Sequence, residues 1–274
     1  MASGRPAVEK KPVRSRSGQL FPIVLIFTAL FGIVGMAITF SGTSEYQQTA
    51  ALWTRGLLQH EYGVHPRDME FWMERNDDHS QGSIVGFKPP KDVKLHYIPT
   101  STNMGEMLLE GKLDGCLLYL ANTNNVVDRS SADIENHPDF KTLFPDPHAE
   151  GVRYFKKTGI YPINHGMVIN RSIVEKHPWV FDSIYNAFEQ ARELAERERL
   201  EAVEYHLEIG KIPPQSRAAL ATPVIRYGIE PNRKVLEAAA QYSFAQGLTP
   251  RLVGIEELFA KAPGEQRDVP LGSN

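Results

Sequence analysis

The chain has 274 residues, 42% of them hydrophobic and 23% charged, with a net charge of −3. This is ordinary globular composition, enough for one large or two modest domains, and the charge balance does not point to nucleic acid. A single cysteine, Cys116, excludes an intrachain disulfide or a cysteine zinc site, and the nine histidines contain neither HExxH nor an i,i+4 pair.

Residues 1–20 carry Arg5, Lys10, Lys11, Arg14 and Arg16 against Glu9 alone, a net +4. FPIVLIFTALFGIVGMAITF (21–40) follows, and no charge appears between Arg16 and Glu45. Such a run has the length of a membrane-spanning helix, and the basic flank would hold the N-terminus in the cytoplasm. The expectation is a basic tail (1–20), a transmembrane helix (21–43) and a globular part outside the cytoplasm.

SEYQQTAALWTRGLLQHEYG (44–63) predicts a helix, with Ser44 and Gln47 at capping-box spacing and Gly63 as its stop. Met69–Met73 predicts a short strand, and 76–92 a polar loop broken by Pro89 and Pro90. VKLHYIP (93–99), NMGEMLLEGK (103–112) and LDGCLLYL (113–120) read as strand, helix and buried strand. That order predicts a βαβ unit with a parallel sheet, whose ligands bind beyond the carboxyl ends of the strands. Tyr119 and the loop ANTNNVVDRSS (121–131) are therefore placed at a candidate site.

Residues 132–157 read as irregular. GMVIN (166–170) predicts a strand, and a long helix follows Pro178. Val180, Phe181, Ile184, Phe188, Ala191 and Ala195 recur at three and four residues, predicting a core-facing stripe, while 192–204 reads as a solvated charged face. NRKVLEAAAQYSFAQG (232–247) predicts a final long helix ending at Gly247, and VGIEELFA (253–260) closes the chain. Trp53, Trp72 and Trp179 read as packing residues, and Tyr46 as a surface residue.

EYQQTAALWTRGLLQHEYGV, LLEGKLDGCL, DRS, LFPD, TGIYPINHGMVI and YGIEPNRKVLEAAAQYSFAQGLTPR occur in that order. Together they resemble the 4,5-dihydroxyphthalate decarboxylase family, over about residues 44–260. The resemblance implies a branch of the type II periplasmic-binding-protein fold, whose other members bind solutes for ABC transporters. It implies an α/β fold with one near-complete lobe (44–125), an irregular connection (126–160), and a return to the first lobe (161–274). The chain departs from the family at its start, where the basic tail and apolar segment stand in place of most of the first lobe. A partner chain supplying that lobe is one expectation; an inactive truncated fragment is another.

The resemblance further implies decarboxylation of an aromatic acid without metal or organic cofactor. Such chemistry needs a general acid to protonate the ring carbon, an acceptor for the ring hydroxyls, and a cation to orient the carboxylates. His165 suits the acid, Arg129 the carboxylates, and Asp128, Asp146 and Glu45 the hydroxyls. A membrane-tethered binding protein for an anionic solute would use the same Arg129 and the N–H groups at the start of the first helix, asking no proton transfer of His165. His165 read without the resemblance is a residue capping a strand, and Arg129 a loop residue paired with Asp128 or Asp133.

Overall fold

A computed structural model describes residues 25–28, 40–80, 82, 86–119, 129–221 and 226–259. Six short strands form one sheet: β1 (Leu25–Thr28), β2 (Phe40–Thr43), β3 (Glu70–Met73), β4 (Lys94–Tyr97), β5 (Gly115–Leu117) and β6 (Phe140–Thr142). Their order across the sheet is β4-β3-β2-β5-β1-β6. The pairs β4·β3, β3·β2 and β2·β5 are parallel, and β1 runs antiparallel to both β5 and β6. The expected α/β architecture with a parallel sheet is thus present.

Alternation along the strands assigns side chains to the two faces. On β3, Phe71 and Met73 pack with Tyr46, Leu58, Met69 and Leu117 on one face, while Trp72 packs on the other with Met104, Leu108, Cys116 and Ile134. The first face is covered by α1 (Thr49–Tyr62) and the second by α2 (Met104–Leu109). The central strand β2 is therefore enclosed on both sides, and Ser41 and Thr43 are as buried as its apolar neighbours. Gly42 lets α2 approach, since a Cβ there would stand 2.7 Å from Met104 Sδ.

A third cluster joins α1 to α3 (Pro147–Thr158) and α6 (Arg233–Ala245) through Leu52, Trp53, Leu57, Tyr154, Val235 and Tyr242. Between them lie α4 (Arg171–Lys176) and α5 (Trp179–Glu208).

Several expectations change. The segment expected to be a transmembrane helix over 21–43 forms strands where it is described, at Leu25–Thr28 and Phe40–Thr43; its remainder and the basic tail lie outside the described residues. A continuous apolar run fits a buried strand as well as a helix, and backbone pairing with β5 and β6 decides for the strand. No helix among the described residues is long and apolar enough to cross a membrane. Residues 132–157, expected to be irregular, contain β6 and most of α3. The expected strand 166–170 is irregular, with Met167 and Val168 exposed. The α5 stripe does not face a core: Leu207 is the buried residue of that helix, and Trp179 and Phe188 stand in solvent, because no sheet packs against them among the described residues. Tyr46, expected at the surface, is fully buried under Phe71 and Phe87.

Candidate functional site at the carboxyl edge of the sheet

The chain leaves β2, runs outward through β3 and β4, and then crosses back to place β5 on the other side of β2. The order reverses between β2 and β5, and in open α/β sheets such a switch point is where ligands bind, outside the carboxyl ends of the strands. Residues 44–48 follow β2, Glu74 and Arg75 follow β3, Ile98 and Pro99 follow β4, and Leu118 and Tyr119 follow β5. These carboxyl ends carry a concentration of buried charge.

Glu45 is 1% exposed, and its Oε1 lies 3.4 Å from Arg75 Nη1, itself 6% exposed. The other carboxylate oxygen accepts from Gln47 Nε2 at 2.5 Å, and Gln47 Nε2 also lies 3.3 Å from Ser80 Oγ. Glu74 is likewise buried. Ser130 Oγ lies 3.1 and 3.3 Å from its two oxygens, and the Met104 N–H points at Oε1 from 3.4 Å. Ser130 Oγ in turn accepts from the Gly105 N–H at 3.1 Å. Two carboxylates and one guanidinium are thus held out of water, where charge interactions are several times stronger than at the surface.

Arg129 reaches the same edge. Its guanidinium donates to the carbonyls of Pro99 (3.1 Å), Glu74 (3.2 Å) and Ile98 (3.3 Å), tying the ends of β3 and β4 to the loop after β5. Three N–H bonds to carbonyls leave part of the five-donor fork for a further acceptor. Tyr119 donates to Ala132 O at 2.8 Å, and burial pushes its phenol up to about 12, so it stays protonated at neutral pH. Leu118, just before it, has φ 61°, the one non-glycine residue with positive φ among those described. Strain of this kind gathers where the surrounding structure fixes a functional loop.

The sequence-predicted residues therefore separate. Glu45, Tyr119 and Arg129 stand at the strand ends. Asp146 is the N-cap of α3, accepting from Ala149 N at 2.9 Å. His165 is exposed on the irregular stretch after Ile163, whose carbonyl accepts from Trp53 Nε1 at 3.0 Å. Asp128 lies outside the described residues. Sequence reasoning missed Glu74 and Arg75, and reached Ser130 only as part of the candidate loop 121–131. The signal for the first two was available, since in a parallel sheet the polar pair directly after EFWM must emerge at the same edge as the residues after LDGCL. Among the described residues no group of three His, Cys, Asp or Glu side chains is arranged to hold a metal ion.

No protein-family model matches the chain. Over 224 residues, 81% of its length, it is 27% identical to a Comamonas testosteroni protein named 4,5-dihydroxyphthalate decarboxylase, and the match spans 66% of that protein. A Pseudomonas putida protein of the same name is 24% identical over 115 residues, 42% of each chain. The chain is thus a distant relative of proteins so named, and spans just under two thirds of the first relative's length.

Proposed function

We propose that the chain is a cofactor-independent aromatic-acid decarboxylase of the 4,5-dihydroxyphthalate type, built on a lobe of the type II periplasmic-binding-protein kind. The observation that carries this reading is the buried acid–base cluster at the switch point of the sheet. The similarity to two proteins named 4,5-dihydroxyphthalate decarboxylase supports an aromatic carboxylate as the substrate class. In the proposed complex Arg75 and the remaining donors of Arg129 hold the carboxylates, because a guanidinium matches two carboxylate oxygens at once. Glu45 and Glu74 hold the groups that face the ligand: Glu45 pairs with Arg75 and orients Gln47, and Glu74 accepts from Ser130. As CO2 leaves, the bond pair stays on the ring carbon and is quenched by a proton, for which His165 is the proposed donor.

The purified 274-residue chain should release CO2 from 4,5-dihydroxyphthalate without added metal or organic cofactor. His165→Gln should lower kcat by at least about 100-fold and leave ligand Kd within about twofold, the pattern for losing proton transfer alone. The exposure of His165 on an irregular stretch favours a second reading, in which the crevice only binds an anion. Saturable binding with no CO2 from the wild type would select that reading.

A further inference from the structure

Eight buried side-chain polar atoms among the described residues have no hydrogen-bond partner, and four of them converge on one short stretch: Ser44 Oγ, Gln47 Oε1, Gln48 Oε1 and Arg55 Nη1. A buried polar atom without a partner loses its hydration with nothing in return, so such atoms are few in native proteins and call for a physical reason. Three belong to residues 44–48, the turn between β2 and α1. The fourth belongs to Arg55, which grips the same turn: its Nη2 donates to Tyr46 O at 2.5 Å and its guanidinium stacks 3.8 Å from the Tyr46 ring. Burial lowers the Arg55 pKa to about 10, so it remains cationic at neutral pH. Arg55 thus anchors the turn through Tyr46, while Ser44, Gln47 and Gln48 each keep a side-chain oxygen without a partner.

The orientation of Gln47 is fixed by its neighbour. A carboxylate only accepts, so the end of the amide facing Glu45 Oε2 must be the NH2. Gln47 Oε1 is thereby held as an acceptor that faces away from Glu45 and lacks a donor. A carboxylate cannot satisfy it; a hydroxyl can. Ser44, which is 0% exposed, supplies a hydroxyl able to donate to an anion beside it.

We propose that the 44–48 turn is the specificity element of the site, with Gln47 Oε1 reading a ligand hydroxyl and Ser44 Oγ an adjacent anionic oxygen. This rests on the reading of the crevice as an aromatic carboxylate site. A ring bearing both hydroxyl and carboxylate fills the turn, whereas the same ring without hydroxyls leaves Gln47 Oε1 buried and unpaired. Sites built to bond a hydroxyl reject the analogue lacking it far more strongly than apolar pockets do.

Titration calorimetry with 4,5-dihydroxyphthalate and phthalate tests this on the full chain. Wild type should prefer the dihydroxy ligand by at least about tenfold, and Gln47→Met should reduce the preference to about twofold or less while phthalate affinity holds. Ser44→Ala should leave the thermal midpoint equal or higher, since it deletes an unsatisfied hydroxyl, yet weaken the dihydroxy ligand about fivefold. A preference that survives Gln47→Met, or Ser44→Ala protein that binds as wild type does, overturns the assignment of that residue and leaves the carboxylate site standing. A wild type that binds neither ligand overturns both.

Discussion

Arg75 and Glu45 illustrate why single residues at the crevice matter out of proportion to their number. Breaking a buried ion pair by removing one member costs about 3–5 kcal/mol, because the remaining charge keeps its desolvation penalty. Arg75→Met should therefore lower unfolding free energy on that scale in urea titrations. Adding Glu45→Leu to it should recover a measurable part of the loss; strictly additive effects would remove the pair from this account. Leu118 gives the opposite sign. A left-handed backbone costs a side-chain-bearing residue about 1–2 kcal/mol, so Leu118→Gly should stabilise by up to about that amount, less the packing lost. A lower midpoint would show that Leu118 packing outweighs the strain. At this scale the sequence made the end of the 113–120 strand legible, and with it Tyr119 and the loop that carries Arg129; Glu45 enters only through the family resemblance, because the apolar run before it conceals β2. It did not make Asp146 legible as a cap, although Asp before Pro is a usual way to begin a helix. A carboxylate looks the same in a string of letters whether it binds a ligand or a backbone N–H of its own chain.

Between elements, the contact of α1 with α6 depends on Gly56, where a Cβ would overlap the ring of Tyr242. That ring is hemmed in by His60, stacked at 4.7 Å, and by Trp53, edge-on at 5.5 Å. Alanine gains about 1 kcal/mol of helix propensity over glycine, but overpacking a filled core costs about 1–3 kcal/mol. Gly56→Ala should thus destabilise, and a raised thermal midpoint would contradict the packing described. The α1–α3 contact responds to pH. Arg153 lies 2.7 Å from Glu150 and 3.1 Å from Glu61, and its hydrogen bond holds the Glu150 carboxyl below the usual range. A carboxylate depressed in the folded state stabilises above its unfolded pKa of about 4.3 and loses that contribution as pH falls through the lower folded value. Arg153→Gln should reduce stability only slightly at pH 6, given the exposure of Arg153, and the difference should vanish as pH falls through the lowered carboxylate range. Helix α1 and the β4-α2-β5 unit were legible from periodicity and stop signals. Helix α3 was not, because three prolines in 132–157 outweighed its Asp-Pro start and Gly159 stop. The strand 25–28 read as helix because an unbroken apolar run carries no period.

Across the whole molecule, burial is uneven. Sheet, α1, α2, α3 and α6 share enclosed cores, while 161–209 carries Met167, Val168, Trp179, Leu194 and Tyr205 in solvent. Irregular backbone with exposed apolar side chains is the preferred substrate of proteases. Brief thermolysin digestion should cut first within 161–170, and a first cut inside α1 or β3 would refute this distribution of order. The exposed α5 stripe also explains why helical periodicity misled: the pattern records a face made for burial, and cannot say what covers it.

On the proposed reading the carboxyl edge of the sheet, at the ends of β2, β3 and β5, binds a hydroxylated aromatic carboxylate. The most direct measurement is an amide chemical-shift titration of the full chain with 4,5-dihydroxyphthalate. Saturable shifts should concentrate at Ser44–Gln48, Glu74–Arg75, Asn103–Gly105, Tyr119 and Arg129–Ser130. Saturable shifts centred elsewhere, or none at millimolar ligand, would contradict the claim.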